Sequence, residues 1–154
     1  MSSNKYKKED KIFLAGHNGL VGSAFLEELK KKNYKNITTI SRKNLDLRNQ
    51  KEVNYFLKNN NFDSIIIAAA KVGGVLANSR DNASFLYDNL MIQNNLIHLG
   101  FKNNINKIIF LGSSCIYPKN SNQPMKESVL LKGELESTNE GYALAKIAGL
   151  KLCH

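Results

Sequence analysis

Short apolar runs alternate with longer segments of helical periodicity along this chain. The apolar runs predict strands at 11–15, 36–41, 64–69 and 107–112. They are continuous rather than alternating, which is typical of strands that helices cover on both faces of a parallel sheet. The periodic segments predict helices at 20–32, 50–60, 83–103 and 142–154. The pattern therefore predicts an α/β fold with a doubly wound parallel sheet, whose ligands bind beyond the carboxyl ends of the strands.

A turn with three regularly spaced glycines follows the first predicted strand. The glycines form a G-x-x-G-x-x-G pattern that leads into the first predicted helix. Strand, glycine turn and helix in this order place backbone N–H groups and the positive end of a helix against a pyrophosphate. The turn predicts a Rossmann-type dinucleotide site with the candidate cofactor-binding residues Gly16, His17, Asn18, Gly19, Leu20, Val21 and Gly22. A glycine turn without a ligand is the alternative, because such turns are common after buried strands.

Cations stand at the end of the second predicted strand. In many dinucleotide-binding folds an Asp or Glu near this position binds the ribose 2′-OH of NAD. Here Arg42 can form a bidentate pair with a 2′-phosphate, and Lys43 adds a second positive charge. This predicts NADPH rather than NADH, with a solvated surface arginine as the alternative. Asp46 can either bind the adenine edge or N-cap the next helix, and the sequence leaves both interpretations open.

Small residues follow the third predicted strand over 68–74. Small side chains allow the ribose and phosphates of a cofactor to lie close to the backbone. Ala69 is the candidate contact in this segment. A glycine-rich loop without a ligand is the alternative.

The fourth predicted strand and the last predicted helix carry the residues best suited to chemistry. Tyr142 and Lys146 are four residues apart and so lie on one helical face. A phenol with a pKa near 10 exchanges protons poorly at neutral pH, and an adjacent ammonium stabilises the phenolate and lowers that pKa. Ser113 or Ser114, at the end of the strand, can hold a substrate oxygen. A Tyr–Lys pair is common on helices, so it is the order of glycine turn, serines, tyrosine and lysine that predicts a reductase site.

Composition and charge exclude several other classes of protein. The net charge of +9 over 154 residues comes from scattered lysines without interleaved aromatics, so no nucleic-acid partner is expected. No apolar run approaches the ~18 residues of a membrane span, so no membrane partner is expected. Cys115 and Cys153 form no recognisable metal or disulfide pattern, which predicts free thiols, no metal site and a cytoplasmic location. The polar residues 1–10 predict a disordered lead-in to one domain over 11–154.

Five segments of the chain resemble the extended short-chain dehydrogenase/reductase family. They are AGHNGLVGSA at 15–24, AAAKVGG at 68–74, FLGSSCIYPK at 110–119, QPMKES at 123–128 and YALAKIAGLKLC at 142–153. These blocks are more specific than the generic reductase motifs. The resemblance implies NADP(H) as cofactor and GDP-4-keto-6-deoxy-D-mannose as substrate. It also implies epimerisation at C3 and C5 followed by reduction at C4.

The same resemblance implies roles for individual side chains. Tyr142 would protonate the C4 oxygen as hydride arrives, while Lys146 would bind the ribose and lower the pKa of the tyrosine. Ser113 would orient the keto group, and Cys115 would take the protons from C3 and C5. Without the resemblance, a small buried apolar role is the better account of Cys115. The cofactor contacts implied near the strand end and on the helix are Leu111, Gly112, Ser113, Ser114 and Lys146.

The chain departs from the family pattern at three places. Asn18 stands where the family often has a basic residue, which leaves more of the NADP preference to Arg42. Gly141 stands where proline is common before the tyrosine, which predicts a looser helix start. Family members continue well beyond the position of His154, into a substrate domain that also supplies the histidine acid of epimerisation. We therefore expect a sheet that is incomplete on its C-terminal side, and a chain that binds NADPH weakly and does not turn over alone.

The family resemblance also implies a partner and leaves two other functions open. Family members pair through a four-helix bundle, so we expect a homodimer through 83–103 and 142–154. The apolar positions of 83–103 cover more than one stripe, which is consistent with one face on the sheet and another on a second subunit. The other functions are a different nucleotide-sugar epimerase or dehydratase of the same superfamily, and a catalytically silent NADP-binding module.

Overall fold

The structure, a computed structural model, describes residues 6–154. Its strands are β1 (Ile12–Ala15), β2 (Ile37–Thr38), β3 (Ser64–Ile67) and β4 (Lys107–Phe110). Its helices are α1 (Leu20–Lys31), α2 (Gln50–Asn60), α3 (Val75–Arg80), α4 (Asn82–Lys102) and α5 (Glu140–Leu152). Short 3₁₀ turns lie between β4 and α5, at Ser114–Ile116, Glu127–Val129 and Ser137–Asn139.

The four strands form one parallel sheet in the order β2–β1–β3–β4. The chain moves outward from β1 to β2, crosses back to place β3 on the other side of β1, and then continues outward to β4. The switch point therefore lies between β1 and β3, where Ala15 is paired with Ile67. Ligands of open α/β sheets bind at such a point, beyond the carboxyl ends of the strands. The predicted doubly wound parallel fold is confirmed.

Apolar side chains cover both faces of the sheet, which explains why the strands are continuous apolar runs. Successive residues of a strand point to opposite faces. On one face Phe13 and Ile65 pack with residues of α2 and α4, including Val53 and Leu96. On the other face Ile12, Leu14 and Ile66 pack with the α1 residues Phe25, Leu26 and Leu29. Within the described chain no helix has both the length and the apolar character needed to cross a membrane.

Helices α1 and α2 begin and end where local chemistry allows. The Asn49 side chain accepts a hydrogen bond from the Glu52 N–H and so caps the start of α2. Asn61 ends that helix in the left-handed conformation, at φ 50°. Lys30 and Lys31 lie in the last turn of α1, where cations complement the helix dipole.

The element boundaries differ from the prediction mainly at the carboxyl ends of the strands. The predicted strand 36–41 is reduced to Ile37–Thr38, and the strands predicted over 64–69 and 107–112 each end two residues earlier. The chain leaves the sheet at these ends and forms loops there. We call this side of the sheet, beyond the carboxyl ends of the strands, the ligand edge. The helix α3 was not predicted. Its residues Val75 and Leu76 are exposed, so the apolar periodicity that reveals a packed helix is weak there.

The predicted disordered lead-in over 1–10 is wrong for its second half. The Tyr6 ring packs edge-on against Tyr34, with ring centroids 6.4 Å apart, and joins the apolar cluster beneath α1. The Lys107 ammonium lies 4.0 Å from the centroid of the Tyr6 ring. An aromatic side chain with these contacts ties the segment to the sheet. Residues 1–5 lie outside the described part of the chain.

Candidate active site

The glycine turn after β1 fits tightly against the loop after β3. Gly16 has φ +89°, and a Cβ there would lie 2.6 Å from the Ala69 Cα. A Cβ on Gly22 would lie 2.7 Å from the Gly16 carbonyl carbon. Because both approaches involve backbone atoms, a larger residue at either position would force the turn apart. The turn therefore occupies the switch point between β1 and β3, with Ala69 against it.

The start of α1 is open to an anion. Gly19 is the N-cap, no side chain within the described residues caps the helix, and its first turn carries no acidic residue. Leu20 is 90% exposed, and Asn18 and Val21 are exposed as well. Uncapped N–H groups at the positive end of a helix are suited to a pyrophosphate. The residues of this turn therefore fit the phosphates of a dinucleotide.

His17, within the same turn, differs from its neighbours. Its Nδ1 is buried and has no hydrogen-bond partner among the described residues. The sequence suggests that His17 donates or accepts locally, and this nitrogen does not do so. The glycine turn therefore contains one buried nitrogen, the His17 Nδ1, that has no partner among the described residues.

An ionic network lies next to the end of β2. Arg42 and Lys43 are exposed there. Arg48 lies 2.6 Å from Asp46 and 2.9 Å from Asp88, atom to atom across each ion pair. The Arg48 hydrogen bonds lower the pKa of Asp46 to about 2, so this carboxylate is ionised at neutral pH. Asp46 does not cap α2, and that interpretation was wrong because Asn49 is the cap.

The loop after β3 is held by α4. The Lys71 N–H donates to the Asn89 Oδ1 at 2.8 Å, and the Asn89 Nδ2 donates to the Lys71 carbonyl at 3.0 Å. The Lys71 ammonium also pairs with Asp88 at 3.3 Å. Sequence reasoning missed Asn89, because an amide within an otherwise amphipathic helix carries no motif. Its two hydrogen bonds fix the backbone just beyond Ala69.

The structure brings together the three predicted reductase residues. The Ser113 side chain adjoins the Tyr142 hydroxyl as a hydrogen-bonding neighbour. The Lys146 ammonium lies 5.8 Å from the centroid of the Tyr142 ring and donates to the Leu111 carbonyl at 2.8 Å. These residues come from the carboxyl end of β4 and the first two turns of α5. They lie at the edge of the sheet where ligands are expected.

Burial dominates the protonation of this pair. Burial raises the pKa of Tyr142, and the Ser113 hydrogen bond offsets that rise in part. Burial also lowers the pKa of Lys146 to about 8, since its side chain is only 4% exposed. The expected lowering of the tyrosine pKa by Lys146 is therefore absent from this structure. The physical reason is that the ammonium, itself poorly solvated, is turned towards the Leu111 carbonyl.

Cys115 adjoins the same cluster. Its backbone N–H donates to the Ser113 Oγ at 3.3 Å. Its sulfur accepts a hydrogen bond from the Asn139 Nδ2 at 3.2 Å. The thiol is free and half-buried, so it is not one of the core residues. Cys153 is exposed at the far end of α5, outside this cluster.

Gly141 is fixed in place rather than loose, which corrects the expectation for the helix start. Its N–H donates to the Asn82 side chain at the start of α4. A Cβ at this position would lie 2.5 Å from the Asn82 carbonyl oxygen. A proline would lose the donor and collide with α4. The glycine thus allows α4 and α5 to approach closely beside Tyr142.

These features define a class of protein: a Rossmann-type dinucleotide-binding domain with a Ser–Tyr–Lys cluster at the carboxyl edge of its sheet. The chain belongs to the NAD dependent epimerase/dehydratase family, whose model matches residues 12–154.

Named relatives are similar over almost the whole chain. It is 48% identical over 145 residues to GDP-L-fucose synthase of Escherichia coli, covering 94% of this chain and 45% of that protein. It is 47% identical to GDP-L-colitose synthase of Yersinia pseudotuberculosis, covering 93% of this chain and 46% of that protein. A structure of MlghC, a GDP-mannoheptose C4 reductase from Campylobacter jejuni with NADP bound, is 40% identical with a TM-score of 0.93. That match covers 97% of this chain and 47% of the other. The chain thus spans slightly less than half the length of these relatives.

Proposed function

We propose that this chain carries the NADPH site and the reductase side chains of an enzyme that makes GDP-L-fucose. The substrate is GDP-4-keto-6-deoxy-D-mannose, which is epimerised at C3 and C5 and reduced at C4. The observation that carries the proposal is the contact of Ser113 with both Tyr142 and Cys115. A proton donor and a thiol within one cluster suit a reduction and a proton abstraction on the same sugar. The family and the names of the relatives support the same assignment.

The residues of the ligand edge fit NADP(H). The glycine turn and the start of α1 would hold the pyrophosphate, and the exposed Arg42 would pair with the 2′-phosphate. Lys146 would donate to the ribose of the nicotinamide end. When bound, the cofactor supplies the hydride for C4. The NADP that accompanies the similar C4 reductase supports this choice.

Tyr142 acts as the acid of the reduction. Its hydroxyl gives a proton to the C4 oxygen as the carbonyl carbon receives hydride, so the ketone becomes an alcohol. Ser113 holds the same oxygen in line with the phenol. The phenol is protonated at neutral pH and burial raises its pKa further, so the proton transfer is driven by the negative charge that develops on the C4 oxygen.

Cys115 acts as the base of epimerisation. The protons on C3 and C5 are acidic because each lies next to the C4 carbonyl, which takes up the negative charge. The sulfur removes such a proton while Ser113 hydrogen-bonds the developing oxyanion, and a proton returned to the opposite face of the same carbon completes each epimerisation. A thiol that adjoins Ser113 and Tyr142 can serve the same keto group that is later reduced.

We further propose that two copies pair through α4 and α5. Both helices carry exposed residues, namely Tyr87, Asn94, His98, Leu144, Ala148 and Leu152. Of these, Asn94, His98, Ala148 and Leu152 line one surface depression between the helices. Sedimentation at micromolar concentration tests this, with a dimer expected and a monomer contradicting it.

The free thiols Cys115 and Cys153 suit a cytoplasmic location, which we propose as well.

Turnover by an extended protein tests the proposed function. The chain is joined at His154 to the remaining residues of the E. coli relative and supplied with substrate and NADPH. We expect NADPH consumption, with Tyr142→Phe as the inactive control. An extended protein that binds NADPH without consuming it would instead be a silent binding module. Consumption with a different keto-sugar nucleotide only would change the substrate. Conversion of a nucleotide sugar without net NADPH consumption would favour another epimerase or dehydratase, because those reactions return the hydride to the sugar.

A further inference from the structure

Asn139 occupies a helix-capping position but does not cap. It is the N-cap residue of α5, where an asparagine side chain normally accepts a hydrogen bond from the first turn. No such side-chain bond is made here. The equivalent residue of α2, Asn49, makes that bond with the Glu52 N–H. The two helices therefore use the same residue type differently.

The Asn139 carboxamide is turned towards Cys115 instead. Its Nδ2 donates to the Cys115 sulfur at 3.2 Å. Its Oδ1 is buried and has no hydrogen-bond partner among residues 6–154. A missing cap and an unpartnered buried oxygen both destabilise a fold. This orientation of the Asn139 side chain costs stability in two ways, through the missing cap and through the unpartnered oxygen. Such a cost is typical of a residue held by a functional constraint.

We propose that Asn139 is a positioning residue for Cys115. The inference rests on the base role proposed above for that thiol. The Ser113 Oγ accepts from the backbone of Cys115, and so fixes the main chain but not the sulfur. The Asn139 N–H is directed at the sulfur itself, where it holds the Cys115 side chain in one rotamer.

Alkylation of the two thiols tests this assignment on the 154-residue chain. Iodoacetamide labels Cys115 and the exposed Cys153, and mass spectrometry gives the two rates in one sample. The variant Asn139→Asp has the same shape, but replaces the donor with a carboxylate whose charge repels the electron-rich sulfur as it attacks. We expect the ratio of the Cys115 rate to the Cys153 rate to fall about tenfold. In Asn139→Ser, whose side chain is too short to reach the sulfur, we expect a fall of about threefold.

The controls separate positioning from folding. Ser is a good N-cap residue, so Asn139→Ser should not lower the melting temperature. Unfolding would expose the thiol and accelerate its alkylation, so a slower reaction cannot come from misfolding. Asn49→Asp makes the same exchange at the cap of α2, and should leave the ratio unchanged.

A ratio within about twofold of the wild-type value in Asn139→Asp would overturn the proposal, because the lost hydrogen bond would then not govern the sulfur. The result does not depend on turnover. An extended protein that fails to reduce the sugar would contradict the proposed function alone.

Discussion

The Lys146 ammonium is buried, and burial disfavours its charged form. Burial lowers its pKa to about 8, against 10.5 for the lysine of an unfolded chain. Between these values the unfolded state binds more protons, so the contribution of Lys146 to stability rises with pH. Below pH 8 the whole penalty of a buried ammonium is present. Retaining a lysine there at a cost in stability fits a residue kept for ligand binding.

Replacing this lysine should stabilise the fold. We predict that Lys146→Met raises the free energy of unfolding by about 1 to 2 kcal/mol at pH 7, even though the bond to the Leu111 carbonyl is lost. The gain should disappear near pH 10, where the native lysine is already neutral. Urea denaturation at the two pH values measures this, with the exposed Lys151→Met as control. A variant less stable than wild type at pH 7 would contradict the argument.

Arg42 is predicted to select the cofactor. Because it is exposed at the end of β2, Arg42→Ala should not disturb the core. The variant should weaken NADPH binding about tenfold and leave NADH binding unchanged, since only NADPH carries the 2′-phosphate. Fluorescence titration of both cofactors measures the two affinities, with the exposed Lys35→Ala before β2 as control. Equal losses for both cofactors would show that Arg42 does not contact that phosphate.

For individual residues, the sequence predicts which side chains lie together but not their pKa values. The spacing of Tyr142 and Lys146 and the order of the motifs predicted that these two residues lie near Ser113. The direction of the tyrosine pKa depends on burial and on where the ammonium points, and neither is local in sequence. Asn139 was missed for the same reason. Its contact with Cys115 spans 24 residues and belongs to no motif.

Close approaches of α5 to neighbouring elements hold the site together. Glycines of α5 face other elements, since a Cβ on Gly149 would lie 2.6 Å from the Phe110 ring. Periodicity predicted α1, α2, α4 and α5, because each has a packed apolar side. It did not predict α3, whose apolar residues are exposed. Nor did it predict that Gly141 is required, because the neighbour that requires it lies 59 residues away.

The helix contact at Gly141 leads to a stability prediction. Gly141→Ala should destabilise the fold by about 2 kcal/mol, because its Cβ would meet the Asn82 carbonyl and side chain of α4. Gly112→Ala is the matched control, since a Cβ there meets nothing within 4 Å. Thermal melting of the two variants compares them. Equal melting temperatures would mean that α4 can retreat from α5 without loss.

In the molecule as a whole, the strand order of the sheet brings the predicted cofactor-binding and catalytic residues to one side. The glycine turn, the Ala69 loop and the Ser113 strand end follow β1, β3 and β4, and all of them leave the sheet at one edge. The sequence predicts the parallel α/β architecture from its apolar runs and their spacing. The strand order depends on pairing across distant segments, and no local pattern encodes it. That order explains how motifs spread over 130 residues form one site.

The most direct test of the central claim is the isotope content of the sugar made by the extended protein in D₂O with NADPH. We predict deuterium from solvent at C3 and C5, and hydrogen from NADPH at C4. With Tyr142→Phe, exchange at C3 and C5 should persist while reduction stops, and Cys115→Ser should lose the exchange. Reduction without any deuterium at C3 and C5, or undiminished reduction by Tyr142→Phe, would contradict it.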